Sequence, residues 1–314
     1  MIRQRKRGEN GFALVLTLVV TALMVAVTAE MIHQVYVDTS LSRGFRDGQQ
    51  ASLLAESGIS GGTKLLQMAL SGQNYSALSD KWATPFKLDD ETGTIEITAA
   101  EEGGRINLNG LVLPNGELEP FTQAALKRLG KRLQIPEECW NALADWLDSD
   151  DLPRSGGAES NYYKSLNPSK RPYSAHNAKL TTMAELSLVM GFTPEIIVKL
   201  RPFVTIYADQ PGAPLSQVNI NTAPKEVVAA LDDRIDDRMA ERILEERRLK
   251  PFQAPGELSR VDSQISSSLA ARVSVKGNVF RVISVARVKD TARTVEAVMR
   301  LTGGRPDCLS WQEY

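Results

Sequence analysis

The organisation of the chain depends on KRGENGFALVLTLVVTALMVAVTAEM, residues 6–31, which joins a basic head to a long uncharged run. The head is cationic from Arg3 to Arg7, and no charged residue lies between Phe12 and Ala29. Such a run is close to the roughly 20 apolar residues that a bilayer-spanning helix needs. The same run also fits a secretory signal peptide that is cut after Ala29 at a small-residue site.

The residues after Glu30 favour an anchor that is kept over a leader that is discarded. The apolar pattern continues through MIHQVYV, residues 31–37, into ASLLAESGISGGTKLLQMAL, residues 51–70. At helical spacing the second stretch has one apolar or small face, formed by Ala51, Leu54, Ala55, Ile59, Gly62, Leu65, Leu66 and Ala69. Its other face is mostly polar, with Glu56, Ser60, Thr63, Lys64 and Gln67. We therefore predict one long helix, anchored in a membrane at its start and packed on a globular domain at its end.

A cut between Gly11 and Phe12 would leave the basic leader behind and keep this anchor. The surrounding residues 9–20, ENGFALVLTLVV, resemble the processing site of type IV pilins and pseudopilins. In that class a prepilin peptidase cuts after the glycine, and the new amino terminus is methylated. Most members carry a glutamate four residues beyond the first mature residue, where this chain has Leu16. The departure narrows the resemblance to the minor pseudopilin K family of type II secretion, which also lacks that glutamate.

Five further stretches resemble the same family and follow in order along most of the chain. They are RINLN (105–109), DWLDSDD (145–151), GGAESNYY (156–163), GFTPEIIVKLRPFVTIY (191–207) and NINTAP (219–224). The resemblance implies a structural subunit that caps the periplasmic pseudopilus and starts its assembly, with Leu16 tied to this tip placement. It implies the minor pseudopilins I and J as partners, with H below them, and a single-pass inner-membrane protein whose bulk lies in the periplasm. A tip minor pilin of a related type IV filament is the alternative.

Length and composition agree with a membrane-anchored protein that has proper cores. The 314 residues are enough for two or three domains. The 37 Lys and Arg residues nearly balance the 38 Asp and Glu residues, so the bulk charge does not call for nucleic acid. Cysteine occurs at Cys139 and Cys308. In an oxidising periplasm these two could pair, but two buried thiols fit equally well, and both interpretations stay open.

Changes in hydrophobic period predict an α+β fold. Residues 92–109, TGTIEITAAEEGGRINLN, alternate around Gly103 and Gly104, which predicts a β-hairpin, and residues 278–301 predict a second hairpin turning at Lys289 and Asp290. Helical periods dominate between them. We predict a pilin-like fold, in which the long N-terminal helix packs on an antiparallel sheet with all-α modules inserted between its strands. The predicted segments are a leader (1–11), the helix (12–70), the first part of the β-domain (71–108), a helical domain with an acidic loop (109–210), a second helical module (211–275) and a C-terminal hairpin (276–314).

The densest group of polar residues is DWLDSDDLPRSGGAESNYY, residues 145–163. A helix that ends near Trp146 would deliver three acids into a loop, and a fourth would return after the glycine turn: Asp148, Asp150, Asp151 and Glu159. Hard oxygen ligands on a flexible loop suit calcium, which takes about 6 to 8 oxygens. The spacing differs from that of an EF-hand, and a solvated acidic loop with Arg154 as counterion is the alternative. Because members of the resembling family bind calcium, the resemblance favours a calcium site at these four acids.

A competing function is raised by residues 218–248, VNINTAPKEVVAALDDRIDDRMAERILEERR, which resemble a helix-hairpin-helix unit. Such units often hold DNA phosphates with the backbone amides of their hairpin. Here the hairpin position reads DDRIDD, and residues 225–250 hold eight acids and seven bases. Attraction to DNA requires a positive patch, whereas this hairpin would present four carboxylates to the phosphates. We therefore interpret the unit as a packing scaffold and expect no nucleic-acid partner.

Catalysis has little support in the sequence. His33 and His176 lie far apart, and the zinc motif His-Glu-x-x-His does not occur. The acidic loop could in principle supply the general acid and base of a hydrolase. No aromatic-lined substrate stretch accompanies it, so we predict a structural subunit with no catalytic residues.

Overall fold

The computed structural model describes residues 9–166, 172–210, 212, 215–302 and 304–314, so residues 1–8 of the predicted leader 1–11 lie outside the described residues. The helices are α1 Glu9–Leu70, α2 Pro120–Leu133, α3 Glu138–Leu147, α4 Ser160–Ser165, α5 Pro194–Leu200, α6 Lys225–Ala230, α7 Asp237–Leu249 and α8 Ser263–Leu269. Single turns of 3-10 helix lie at Lys81–Ala83, Leu108–Gly110, Met183–Leu188 and Pro255–Arg260. The strands are β1 Phe86–Asp90, β2 Gly93–Glu101, β3 Ile106–Asn107, β4 Val204–Thr205, β5 Val218–Asn219, β6 Val273–Ser274, β7 Val279–Val288, β8 Thr291–Arg300 and β9 Asp307–Glu313.

Helix α1 contains no proline and runs unbroken for 62 residues, or about 93 Å at about 1.5 Å per residue. Its first part is exposed and apolar, and by length and composition this is the one helix among the described residues that could cross a membrane. Threonines in this part return their hydroxyls to the helix backbone, as in the 2.7 Å bond from Thr28 Oγ1 to the carbonyl of Met24. The span therefore presents little unsatisfied polarity to lipid.

One five-stranded sheet has the order β1-β2-β7-β8-β9, and every neighbouring pair is antiparallel. The C-terminal half of α1 packs across β2, β7 and β8, and the buried cluster between them includes Ile59, Leu66, Phe280 and Val282. Trp82 closes one end of this cluster and meets the Phe280 ring edge-on at 5.1 Å. The helix is held on the sheet by this apolar layer.

Small residues let α1 approach the sheet closely. A Cβ added at Gly58 would overlap Ser284 Oγ and lie 3.0 Å from Ile95 Cγ2, and one added at Gly62 would lie 2.8 Å from Ile97 Cγ2. By contrast, Gly61 faces open space. The glycines on the sheet side are therefore required for the packing distance, whereas Gly61 is not.

The helical elements α2 to α8 are all inserted between β2 and β7. They share one large hydrophobic cluster that runs from Ile106 to Val275 and spans both predicted helical modules. Two short parallel pairs, β3 with β4 and β5 with β6, fasten the chain ends of the insertion.

The insertion leaves and re-enters the sheet at one place, where buried Glu102 joins three segments. Its carboxylate accepts hydrogen bonds from Arg105 Nη1 at 2.7 Å, Arg281 Nε at 2.9 Å and Thr205 Oγ1 at 2.6 Å. Its backbone N–H donates to the carbonyl of Val279 at 2.9 Å. The junction is therefore bonded to the start of the insertion, to β4 and to β7.

The architecture confirms the predicted α+β class with a long helix on an antiparallel sheet. The hairpin at Lys289 and Asp290 is confirmed, since Val288 pairs with Thr291. The hairpin predicted around Gly103 and Gly104 is wrong. Strand β2 pairs instead with β1, and the chain after Gly104 leaves the sheet to form β3, which pairs in parallel with β4. Alternation alone could not reveal that the partner of β2 precedes it.

Two side chains of α1 and the two cysteines add detail to the predictions. Leu65, expected on the buried face, is exposed, and Thr63, expected on the polar face, is buried. Thr63 satisfies its hydroxyl by donating to the carbonyl of Ile59 at 2.7 Å. Cys139 is buried, Cys308 is exposed, and both are free thiols.

We predict opposite effects for one substitution at two glycines of α1. Gly61→Ala should stabilise the fold by about 0.5–1 kcal/mol, because alanine loses less backbone entropy in a helix. Gly58→Ala should leave the protein about 1–3 kcal/mol less stable than Gly61→Ala, because its methyl overpacks the contact with Ser284. Urea unfolding of the full chain in detergent measures both, and equal shifts for the two variants would contradict the close packing.

Candidate functional site

The candidate site is an acidic centre built by the end of α3 and the loop that follows it. Helix α3 ends at Leu147, and Asp148 adopts extended backbone while its N–H still donates to the carbonyl of Ala144 at 3.0 Å. Asp145 and Asp148, three residues apart, therefore lie on the same side of the last turn. Glu159 precedes α4 and completes the group.

Three carboxylates converge and are withdrawn from solvent. One oxygen from each of Asp145, Asp148 and Glu159 lies within 4.8 Å of the others. Their exposed fractions are 0%, 3% and 3%. Mutual repulsion and burial both oppose three negative charges at this spacing, so the centre requires compensating positive charge.

Arg154 supplies part of that charge. Its Nη1 donates to Asp145 Oδ1 at 2.7 Å and also contacts Asp148 Oδ2, and its Nη2 donates to the carbonyl of Gly116 at 2.7 Å. Its backbone N–H donates to Asp145 Oδ2 at 3.1 Å. With three carboxylates against one guanidinium, the centre keeps a net charge of about −2 when all four groups are ionised.

Glu159 carries the uncompensated charge. Neither of its carboxylate oxygens has a hydrogen-bond partner among the described residues, and neither does Asp148 Oδ1. Burial, followed by the charges of Asp145 and Asp148, raises the pKa of Glu159 to about 7. Burial also raises the pKa of Asp145, against the opposing bonds from Arg154. Buried acceptors without donors are rare in folded proteins, so these three oxygens point to a missing electropositive partner.

A glycine turn lets the loop close over the centre. Gly156 has φ +74, which favours glycine, and a Cβ added at Gly157 would overlap Asp145 Oδ2. The backbone N–H of Gly157 donates to the carbonyl of Arg154 at 2.8 Å, which holds the turn. The two glycines are therefore needed to bring Glu159 back against the end of α3.

The structure brings together two of the four acids predicted as calcium ligands, Asp148 and Glu159. Asp150 and Asp151 are exposed, and Asp150 Oδ1 accepts a 2.8 Å bond from the Leu152 N–H. Asp145 was missed, because a helix ending near Trp146 assigned it to the helix and not to the loop. Its three-residue spacing from Asp148 was the signal that could have included it.

The predicted processing and tip-placement residues lie together near the start of α1. Gly11, Phe12 and Leu16 are exposed, with 72% of Phe12 and 53% of Leu16 accessible. They lie in the exposed apolar part of the helix, more than fifty residues before the acidic centre. The structure therefore places the predicted processing residues and the predicted metal residues in separate parts of the molecule.

The hairpin acids of the helix-hairpin-helix-like unit are engaged in local structure. Asp236 caps α7 by accepting from the Met239 N–H at 2.8 Å. Asp233 accepts from Arg128 Nε of α2 at 2.6 Å, and Asp232 accepts from Arg234 Nε at 2.9 Å. These bonds tie the hairpin to α2 and to itself, as in a packing scaffold.

Residues suited to catalysis do not converge with the acidic centre in the described part of the chain. His33 lies on α1, and His176 Nδ1 is 3.1 Å from Glu185 Oε2. Residues 58–62, GISGG, have the Gly-x-Ser-x-Gly spacing of a hydrolase nucleophile, but they lie inside α1 and Ser60 is exposed. A strand-to-helix turn, which that motif requires, is absent from this position.

Comparison with known proteins places the chain in a family. Two family models described as type II secretion system, protein K, match residues 104–209 and 218–276. A type II secretion system protein K of Pseudomonas aeruginosa is 31% identical over 314 residues, which cover 94% of this chain and 90% of the relative. A protein of the same description from Klebsiella pneumoniae is 29% identical over 239 residues, which cover 71% of this chain and 69% of that protein.

A solved structure supports the same fold. It is the crystal structure of the GspK-GspI-GspJ complex from the type 2 secretion system of enterotoxigenic Escherichia coli. One of its chains matches with a TM-score of 0.71 and 24% identity over 87% of this chain and 99% of that chain. With the resemblance predicted from the sequence confirmed by these matches, the chain belongs to the type II secretion system protein K family.

Proposed function

We propose that the protein is a non-enzymatic minor pseudopilin that occupies the tip of the type II secretion pseudopilus and starts its assembly. The observation that carries this proposal is the position of the helical insertion. Along α1, Asp47 contacts Lys289 and Gly62 contacts Val282, so the sheet end at Val279 lies nearest the C-terminal end of the helix. The insertion leaves the sheet at that end, far along the helix from the apolar span.

Bulk at this end suits a terminal subunit. A shaft subunit must accept a neighbour above it, and a large helical domain beyond the end of α1 would collide with that neighbour. At the tip no further subunit follows, so the insertion meets no such obstacle. The burial of the acidic centre favours a structural role as well, because a substrate would have little access to carboxylates that are 0–3% exposed.

Leu16 supports an early place in assembly. In this class of filament the glutamate that Leu16 replaces is thought to lie at bilayer depth and to attract the terminal amine of a neighbouring subunit. A carboxylate in hydrocarbon is costly unless a partner neutralises it. A subunit with Leu16 rests in the membrane without a partner above it, while its own amine at Phe12 stays available to the glutamate of the next subunit.

The proposed location is the inner membrane, with α1 crossing once and the bulk of the chain in the periplasm. The cationic head from Arg3 to Arg7 favours a cytoplasmic amino terminus, because basic residues flanking a span are kept inside. Prepilin peptidase would then cut between Gly11 and Phe12 at the cytoplasmic face.

The proposed partners are the minor pseudopilins I and J, with H below them. The chain shares its fold with a chain of the GspK-GspI-GspJ complex. Helix α1 also keeps large apolar side chains exposed beyond the span, among them Leu41, Phe45 and Leu53. An apolar stripe on a helix that already packs one face on its own sheet suits helices of neighbouring subunits.

We further propose that Asp145, Asp148 and Glu159 hold calcium. Three buried oxygens without partners, a charge of about −2 and carboxylate ligands all match a hard divalent cation. Bound calcium would supply the positive charge that Arg154 leaves short and would fasten the loop to the end of α3.

The first prediction concerns processing. The mature protein should begin at methylated Phe12 and fractionate with the inner membrane, because the apolar span remains attached after the cut. Intact-mass and amino-terminal peptide measurements identify this terminus. A mature terminus at Glu30 with a freely soluble product would refute the pseudopilin proposal.

The second prediction concerns calcium and compares one buried acid with one exposed acid. Calcium at about 100 times its Kd should stabilise the full chain by about 2.7 kcal/mol, and a chelator should remove this gain. Glu159→Gln should abolish the calcium-dependent shift, whereas Asp151→Asn should retain it. Without calcium, Glu159→Gln should be at least as stable as the parent, because it removes an unpaired buried charge.

Melting curves in detergent, with calcium and with chelator, measure all four combinations. Coincident curves for the parent protein would exclude a stabilising calcium site. A shift that survives Glu159→Gln but disappears in Asp151→Asn would move the ligands into the exposed part of the loop.

The third prediction concerns tip placement. Antibody or gold labels on the periplasmic part of the protein should mark one end of purified pseudopili. Leu16→Glu should give little incorporation into the shaft, because the insertion still blocks a neighbour above, and an equal or lower rate of initiation. Labels at regular intervals along wild-type filaments would contradict the tip proposal.

A further inference from the structure

A small cavity of about 210 Å³ lies outside the acidic centre, between the segment that follows α1 and the helix α7. Its walls are residues 77–79 on one side and Asn221, Leu244, Arg247 and Arg248 on the other. We call it the arginine pocket. Because residues 77–79 come shortly after the end of α1, the pocket lies at the end of the helix opposite to the apolar span.

Arg247 is held in place without a counter-charge. Its Nη1 donates to the carbonyls of Ile220 and Ala223, both at 2.7 Å. These bonds use one nitrogen, and Nε and Nη2 donate to no acceptor within the described residues. No carboxylate of that part of the chain lies within 4.0 Å of the guanidinium. The side chain is therefore oriented by the backbone and keeps a donor edge free.

The electrostatics of the pocket are uniformly positive. Burial, and then the charge of Arg248, lower the pKa of Arg247 to about 10, which still leaves it protonated at neutral pH. Glu241 is near enough for Arg248 to lower its pKa, but it pairs first with Lys225, whose Nζ lies 2.9 Å from Glu241 Oε2. A partly buried guanidinium with a second one beside it and no acid between them is unfavourable unless an anion completes the group.

The opposite wall adds neutral donors. The backbone N–H groups of Leu78 and Ser79 have no acceptor within the described residues, and the hydroxyl of Ser79 is exposed. Asn221 adds no free amide, because its Oδ1 and Nδ2 are both bonded to the backbone of Phe252, at 2.9 and 2.8 Å. The donors available to a ligand are therefore the two guanidiniums, two N–H groups and one hydroxyl.

We propose that the arginine pocket binds one oxyanion group, a carboxylate or a phosphate, between Arg247 and Arg248. The volume admits a group of this size, and the planar fork of arginine matches both chemistries. A carboxylate would come from an acidic side chain of another protein, and a phosphate would come from the free anion. This site is independent of the calcium proposal, since the two lie on different segments and take ligands of opposite charge.

Isothermal titration of the full chain in detergent with inorganic phosphate, and separately with a short glutamate-containing peptide, tests the proposal. Arg248→Gln should weaken binding at least about tenfold, since a hydrogen bond to a charged group contributes enough free energy for that change. Arg247→Lys should weaken it as well, because an ammonium cannot hold both carbonyls and also present a fork. The matched control is Arg242→Gln, an exposed arginine of the same helix that does not line the pocket, and it should change Kd less than about twofold.

The two ligands distinguish the source of the anion. Tighter binding of the peptide supports an acidic protein segment, and tighter binding of phosphate supports the free anion. Absence of binding by both ligands to the parent protein would overturn the proposal. Equal weakening by Arg248→Gln and Arg242→Gln would overturn it too, because the attraction would then be a property of the whole basic helix. The assay needs no filament, so its outcome is separate from the test of tip placement.

Discussion

The antiparallel pairing of β2 with β7 is the constraint on which the rest of the molecule depends. Glu101 lies opposite Phe280, although every element from β3 to α8 separates them along the chain. Because neighbouring strands are only about 4.8 Å apart, both ends of the insertion must leave the sheet side by side. The helical part of the protein is therefore an expanded connection between two adjacent strands, and it can project in one direction only, beyond the end of α1.

Buried charge holds that connection in one orientation. Glu102 accepts from Arg105, Thr205 and Arg281, and Arg281 also contacts Glu296 on β8. Removing one member of such a group leaves an unpaired buried charge, which typically costs about 3–5 kcal/mol. The two hydrophobic clusters, one under α1 and one within the insertion, are thus joined by a polar hinge that resists rotation. Loads applied to the insertion would pass directly into the sheet and the helix.

The acidic centre lies on the opposite principle, since its charges are brought together without full compensation. Arg154 bonds two of the three carboxylates, and Glu159 is left with both oxygens unpartnered. Such a centre is stable when a cation occupies it and strained when none does, which couples the closure of the loop to the availability of that cation. A protein assembled in the periplasm meets divalent cations there, so the loop would close after export of the domain.

By itself, the sequence determined the membrane-length helix, the α+β class, the C-terminal hairpin and the acidic character of residues 145–163. Each of these depends on local pattern: an uncharged run, a change of period, a Lys-Asp turn or a run of carboxylates. Tertiary structure alone decided which strand pairs with β2 and which acids meet. Alternation specifies a strand but not its partner, and a carboxylate such as Asp145 enters the centre because α3 continues one residue beyond Trp146 and the Gly156–Gly157 turn returns Glu159 to its side. These outcomes depend on contacts between residues distant along the chain, which no local pattern encodes.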